Sequence, residues 1–147
     1  MNTSSGHLNG TIEGNIVVWG LSIPIELLSQ TEINYLENLP RELPDMEWVC
    51  GELDRIWIQF NLDNRKAFIG QPIGEYYSHP VWMMNGVFSA TDPASLAHRN
   101  AIAKYLKNIK PNTLADYGGG FGQLALSMAK YIPDTSIHII EPYPSKV

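Results

Sequence analysis

Asp116, Gly118, Gly120, Gly122 and Glu141 are the residues whose types and spacing point most directly to chemistry. A carboxylate followed by glycine at every second position suits a turn where backbone must come close to a bound molecule. Side chains at those positions would block both the tight turn and the approach of a ligand to the N–H groups at a helix start. Asp116 sets the sign of the ligand. A carboxylate beside a pyrophosphate adds like-charge repulsion, whereas an amino-acid ammonium gains from it. The dinucleotide fingerprint G-x-G-x-x-G fits Gly118 and Gly120 but has Gln123 at its last position. Glu141 stands near where α/β folds hold an acid against ribose hydroxyls.

Three elements must position these residues. Thr113-Leu114-Ala115, bounded by Pro111 and Asn112, predicts a strand over 113–117. Gln123 to Tyr131 carries Leu124, Ala125, Met128 and Ala129 at helical spacing. Ile137-His138-Ile139-Ile140 follows Pro133-Asp134 and predicts a second strand ending at Glu141. Strand, glycine loop, helix and strand make one unit, with a right-handed crossover if the strands are parallel neighbours.

An acid, G-x-G-x-G and a second acid resemble motif I and the following ribose acid of the class I S-adenosylmethionine-dependent methyltransferases. The resemblance covers Thr113 to Glu141. It implies that Gly118, Gly120 and Gly122 wrap the methionine half of S-adenosylmethionine, that Asp116 lies near its amino group, and that Glu141 binds the ribose hydroxyls. Gly119 falls at a variable position and is not diagnostic. The implied fold is α/β, a Rossmann-like methyltransferase sheet of which this chain holds the first strand-helix-strand unit, preceded by a mainly helical N-terminal cap. The implied activity is methyl transfer to a small-molecule acceptor. On this reading the chain is the truncated N-terminal part of a larger enzyme, is inactive alone and self-associates through an open sheet edge.

Other residues are weaker candidates. The segment from Glu75 to Gly86 is dense in aromatic and polar groups, and family members contribute tyrosines from a helical segment ahead of motif I; Tyr76 and Tyr77 resemble that arrangement loosely. Ordinary core packing is the competing account of each residue taken singly. His79 and His98 are the general bases available before the motif, since histidine titrates near neutral pH; His98 can face either the cofactor end or the sheet. His7, His79, His98 and His138 show no paired metal-ligand spacing, so no metal is expected. Neither a G-x-S-x-G elbow nor a phosphate loop is present.

The region ahead of the motif reads as mostly helical. Thr11 to Trp19 holds one or two short strands with a turn at Gly14-Asn15. Ser29 and Glu32 form a capping box for a helix to about Asn38. Asp45 caps a longer helix with Val49, Leu53, Ile56, Trp57 and Phe60 on one buried face. Asp92 and Pro93 begin another helix, which runs to about Lys107. The expected organisation is a flexible tail over 1–14, a mainly helical cap over 15–110 and the start of an incomplete Rossmann-like domain over 111–147.

With 44% hydrophobic and 17% charged residues the 147-residue chain is an ordinary globular sequence, long enough for one core. A net charge of -5 and a pI near 5.2 give no footprint for nucleic acid. Lys104, Lys107 and Lys110 read as a solvated helix end. Cys50 is alone, reads as a core residue and is compatible with a reducing compartment. The polar start carries no targeting signal, no stretch is suited to span a membrane, and the cytoplasm is the default location. Two rival functions remain: an NAD(P)- or FAD-binding oxidoreductase with an altered loop, and a noncatalytic interaction protein using the helical cap.

Overall fold

The computed structural model describes residues 10–12 and 14–142, so most of the tail read over 1–14, and residues 143–147, lie outside the described residues. The fold is mixed α/β, in two compact units that divide at Phe88/Ser89. That division precedes the 110/111 boundary drawn from the sequence.

In the first unit, β1 (Gly10–Ile12), β2 (Asn15–Val18) and β3 (Leu21–Pro24) form an antiparallel sheet in the order β1-β2-β3. Gly10–Ile12 is therefore strand rather than tail, and β3 adds a strand that the sequence did not announce. Val18 pairs with Leu21 across a two-residue turn in which both Trp19 (φ 49°) and Gly20 (φ 87°) adopt left-handed backbone. That is the primed hairpin geometry, which favours Asn-Gly over a bulky first residue. Tertiary contacts hold Trp19 there: the residue is 8% exposed, and its ring packs edge-on against Phe88 at 6.4 Å and donates from Nε1 to the Pro40 carbonyl at 2.9 Å. Pro24 is accommodated because β3 lies at the sheet's edge.

The helices of this unit begin where their caps dictate. Before α1 (Gln30–Glu37), the Ser29 hydroxyl accepts from the Glu32 N–H and the Glu32 carboxylate accepts from the Ser29 N–H at 2.7 Å. The Asp45 carboxylate accepts from the Trp48 N–H at 2.8 Å and starts α2 (Met46–Gln59), which buries Val49 and Ile56. Cys50 is exposed, contrary to its reading as a core residue. It follows Val49 by one position, a rotation of about 100° that takes it off the buried stripe. A short α3 (Ile73–Tyr77) leads to α4 (Val81–Thr91), within which the two units divide.

In the second unit, Asp92 accepts from the Ser95 N–H at 2.7 Å and caps α5 (Pro93–Ile109), with Pro93 in the first turn where its missing N–H costs nothing. Lys110 turns into left-handed backbone and its N–H reaches the Leu106 carbonyl, closing the helix before Pro111. β4 (Thr113–Tyr117), α6 (Gln123–Tyr131) and β5 (Ser136–Ile140) follow. β4 and β5 pair in parallel, Thr113 opposite Ser136 and Tyr117 opposite Ile140. Ala103, Ala125, Met128 and Ile132 form the core, with Leu106, Leu114, Leu124 and Ile137 packed against it. One face of the pair, the one carrying Leu114 and Ile137, is therefore covered by α5 and α6. On the other, Ala115, Tyr117, His138 and Ile140 are exposed.

Candidate functional site

β4 ends at Tyr117 and the chain enters the glycine loop through Gly118, whose N–H continues the ladder to the Ile140 carbonyl at 2.8 Å. Gly118 (φ 71°), Gly120 (φ 51°) and Gly122 (φ 72°) all adopt the left-handed backbone that non-glycine residues avoid. The Gly122 N–H closes a turn onto the Gly119 carbonyl at 2.8 Å, and α6 begins at the next residue with no side-chain cap.

The glycines fall into two kinds. A Cβ on Gly118 or Gly120 would meet no atom within 4 Å, so the loop is open there. A Cβ on Gly119 would lie 2.9 Å from Ile139 Cγ2 and 3.0 Å from both Cγ and Oδ2 of Asp116, and one on Gly122 would lie 2.8 Å from Ile139 Cδ1. Gly119 and Gly122 are thus the points where the loop packs down on Asp116 and Ile139, while Gly118 and Gly120 face unfilled space. Gly119, which sequence reasoning set aside as undiagnostic, is the position hemmed in by both Ile139 and Asp116.

Both acids meet this loop. Asp116, two residues beyond Leu114 on the covered face, places its carboxylate directly under Gly119, and its Oδ2 is buried with no hydrogen-bond partner. Glu141, at the end of β5, accepts the Gly120 N–H at Oε2, 2.9 Å away. The structure therefore brings together Asp116, Gly118, Gly120, Gly122 and Glu141. A free loop amide is the feature that attracts a pyrophosphate; here Glu141 engages the Gly120 amide and adds a negative charge.

Arg99 was not singled out from the sequence. On α5 it precedes Ala103 by four residues and Leu106 by seven, placing it on the stripe that packs into the core of this unit. Its Nη1 donates to the Ser89 hydroxyl at 2.8 Å, while Nε is buried without a partner. Burial lowers its pKa, opposed by the nearby charge of Asp92. The one sequence signal was a cation on an otherwise apolar stripe. His98, the adjacent residue, is exposed and stands off that stripe.

Tyr76, Tyr77 and His79 belong to the first unit. Tyr76 is 5% exposed, with Trp57, Tyr77 and Trp82 edge-on around it at 5.2, 5.3 and 5.5 Å. Burial, then the charges of Tyr77 and Asp54, push its pKa up to about 12. Tyr77 stacks on Trp82 at 4.8 Å. These contacts give both tyrosines a packing role. His79 accepts the Val81 N–H at Nδ1, 3.1 Å away, which fixes the neutral ring's proton on Nε2 and satisfies a donor at the head of α4. Burial, then the charge of Arg55, hold its pKa below the usual value. Among the described residues no group of three His, Cys, Asp or Glu side chains is placed to hold a metal ion.

Among the described residues no helix is long and apolar enough to cross a membrane. Comparison of the chain with protein-family models, with curated proteins and with solved structures gives no match.

Proposed function

We propose that this chain carries the cofactor-binding end of an S-adenosylmethionine-dependent methyltransferase with a Rossmann-like sheet, acting on a small-molecule acceptor. The observation that supports it most is the convergence of two carboxylates on one glycine loop: Glu141 bonded to the Gly120 amide and Asp116 unpartnered beneath Gly119. Two acids select hydrogen-bond donors. The ammonium and ribose hydroxyls of an amino-acid nucleoside are donors, and a pyrophosphate is not. The NAD(P)- or FAD-binding alternative is therefore disfavoured by the same geometry.

In this reading the buried Asp116 oxygen accepts from the ammonium, which supplies the partner that it lacks. Glu141 accepts from ribose hydroxyls while it holds Gly120 in place. The open space over Gly118 and Gly120 admits the ligand against the backbone. The cofactor supplies an electrophilic methyl group on a sulfonium centre. The protein's task is then orientation of the acceptor, which is worth about 7 to 11 kcal/mol in the best-aligned cases. We assign no catalytic base: His79 is engaged at the head of α4 and His98 is exposed. The compartment proposed with this activity is the cytoplasm, where a lone thiol such as Cys50 stays reduced.

Titration calorimetry on the full-length protein tests the reading. S-Adenosylhomocysteine and S-adenosylmethionine bind, NAD does not, and Gly120→Val abolishes binding by projecting a branched side chain into the open space. NAD binding with no response to either adenosyl ligand overturns the proposal in favour of an oxidoreductase. No response to any adenosine ligand favours a noncatalytic interaction protein.

A further inference from the structure

Charge is divided unevenly along the chain. The first unit carries eleven Asp and Glu against four Lys and Arg, net -7, whereas the second carries six Lys and Arg against four Asp and Glu, net +2. Three of the second unit's cations meet on one surface of α5 and α6. Tyr131, at the end of α6, has the Nζ of Lys104 and the Nζ of Lys130 each 6.0 Å from its ring centroid, and Lys107 follows Lys104 by about one helical turn. All three lysines are exposed, and among the described residues none of them forms an ion pair. Asp134, three residues beyond Tyr131, is the acid nearest to Lys130 in sequence and leaves it unpaired.

An apolar stripe adjoins these lysines. Ile102, Tyr105 and Ile109 are 46%, 66% and 54% exposed, and their spacing of three and four residues aligns them along two turns of α5. Ala103 and Leu106 face the core, so α5 is apolar on two sides. At about 100° per residue, Lys107 and Lys104 stand about 40° and about 100° round the helix from Ala103, and Tyr105, Ile109 and Ile102 stand about 200° to 260° round it. Lys104 reaches the α6 tyrosine, so the order across the surface is Lys130, the two α5 lysines, then the apolar stripe.

We propose that this surface docks an acidic amphipathic helix of a partner protein, its apolar face on Ile102, Tyr105 and Ile109 and its carboxylates on Lys104, Lys107 and Lys130. A helix presents apolar side chains at the same three- and four-residue spacing, with charged side chains flanking them. The lysines select an acidic flank. An extended polyanion such as nucleic acid or an anionic bilayer fits less well, because the chain as a whole, at -5, repels it. Tyr105 is the anchor, a large ring that the partner helix buries, while the lysines at the rim speed encounter and make binding sensitive to salt. The surface is independent of the glycine loop and of the methyltransferase reading.

Fluorescence anisotropy with the full-length protein and two labelled peptides tests the surface. Each peptide is an amphipathic helix of about 18 residues with a leucine face, flanked by glutamate in one and by lysine in the other. The glutamate peptide binds and the lysine peptide does not, and raising NaCl from about 20 mM to about 300 mM weakens the glutamate peptide roughly tenfold. Lys104→Glu combined with Lys107→Glu reverses the preference, and Tyr105→Ala weakens the glutamate peptide roughly tenfold, the scale of truncating an anchor. These side chains are exposed, so the substitutions leave the core untouched, and the comparison of the two peptides on the wild type needs no variant. Equal binding of both peptides, binding of neither, or indifference of the glutamate peptide to the charge reversal overturns the proposal. So does binding of a single-stranded oligonucleotide or of phosphatidylserine vesicles in place of the glutamate peptide, which gives the lysines to phosphate. Loss of self-association in Tyr105→Ala without peptide binding gives the stripe to a second copy of the chain and overturns it too.

Discussion

The Gly120 amide donates to Glu141 Oε2 over 2.9 Å, so the carboxylate at the end of β5 ties down the loop that leaves β4. The parallel register brings Tyr117 opposite Ile140, one residue short of Glu141, and makes that reach possible. Loop conformation and ligand recognition thus depend on one side chain, and a substitution that keeps its shape separates the two.

Glu141→Gln keeps an oxygen for the Gly120 amide but removes the charge. It weakens S-adenosylhomocysteine by roughly 1 to 3 kcal/mol, the range for a bond to a charged acceptor, with the thermal midpoint nearly unchanged. Glu141→Ala loses as much affinity and also loosens the loop, seen as faster amide exchange at Gly120. Wild-type affinity in both variants removes Glu141 from the site.

The two kinds of glycine predict different tolerances. Gly118→Asn is mild, because asparagine accepts left-handed backbone and the space around Gly118 is open. Gly119→Asn is severe, because even its Cβ would stand 2.9 Å from Ile139 and 3.0 Å from the Asp116 carboxylate. Forced overpacking costs about 1 to 3 kcal/mol. Urea denaturation of both variants measures the difference, and equal midpoints contradict the packing role given to Gly119.

Local signals made much of the second unit legible. Asp92-Pro93 announced α5, Pro111-Asn112 bounded β4, and the alternate glycines marked the loop that Asp116 and Glu141 both reach. Pattern failed where tertiary contact overrode propensity. Trp19 in left-handed backbone hid the β2-β3 turn, since only its burial and the Pro40 bond make that conformation tolerable. α4 buries Val81, Met83, Met84, Gly86, Val87 and Phe88, so nearly all sides are apolar and no amphipathic period signals a helix. Arg99 escaped notice because a cation on an apolar stripe acquires meaning only once its Nε is seen to be buried.

His79 gives the first unit a pH dependence. Its folded-state pKa is depressed below 6.5, first by burial and then by Arg55. The unfolded chain therefore takes up the proton first as pH falls. The stability that neutral His79 contributes is complete above pH 6.5 and is lost as pH drops through the folded-state value. His79→Asn, whose amide oxygen can still accept the Val81 N–H, flattens that dependence. Denaturant midpoints at about pH 7.5 and 5.5 compare the two; an identical acid loss in the variant assigns the effect to another group.

The uncovered face of the β4-β5 pair predicts association of the 147-residue chain. Tyr117 is 82% and Ile140 45% exposed on that face, and among the described residues β4 pairs with β5 alone. Parallel strands are normally covered by helices on both faces, and an unpaired strand edge presents a row of N–H and C=O groups to any neighbour. Here α5 and α6 cover one face only. A second copy of the chain supplies both edge and apolar surface, so the sedimentation-average mass rises with concentration. Replacing Tyr117 and Ile140 together by lysine opposes that association through charge and leaves the core of Ala103, Ala125, Met128 and Ile132 untouched. A monodisperse monomer at every concentration, or association unchanged by the double substitution, shows that this face is not where copies meet.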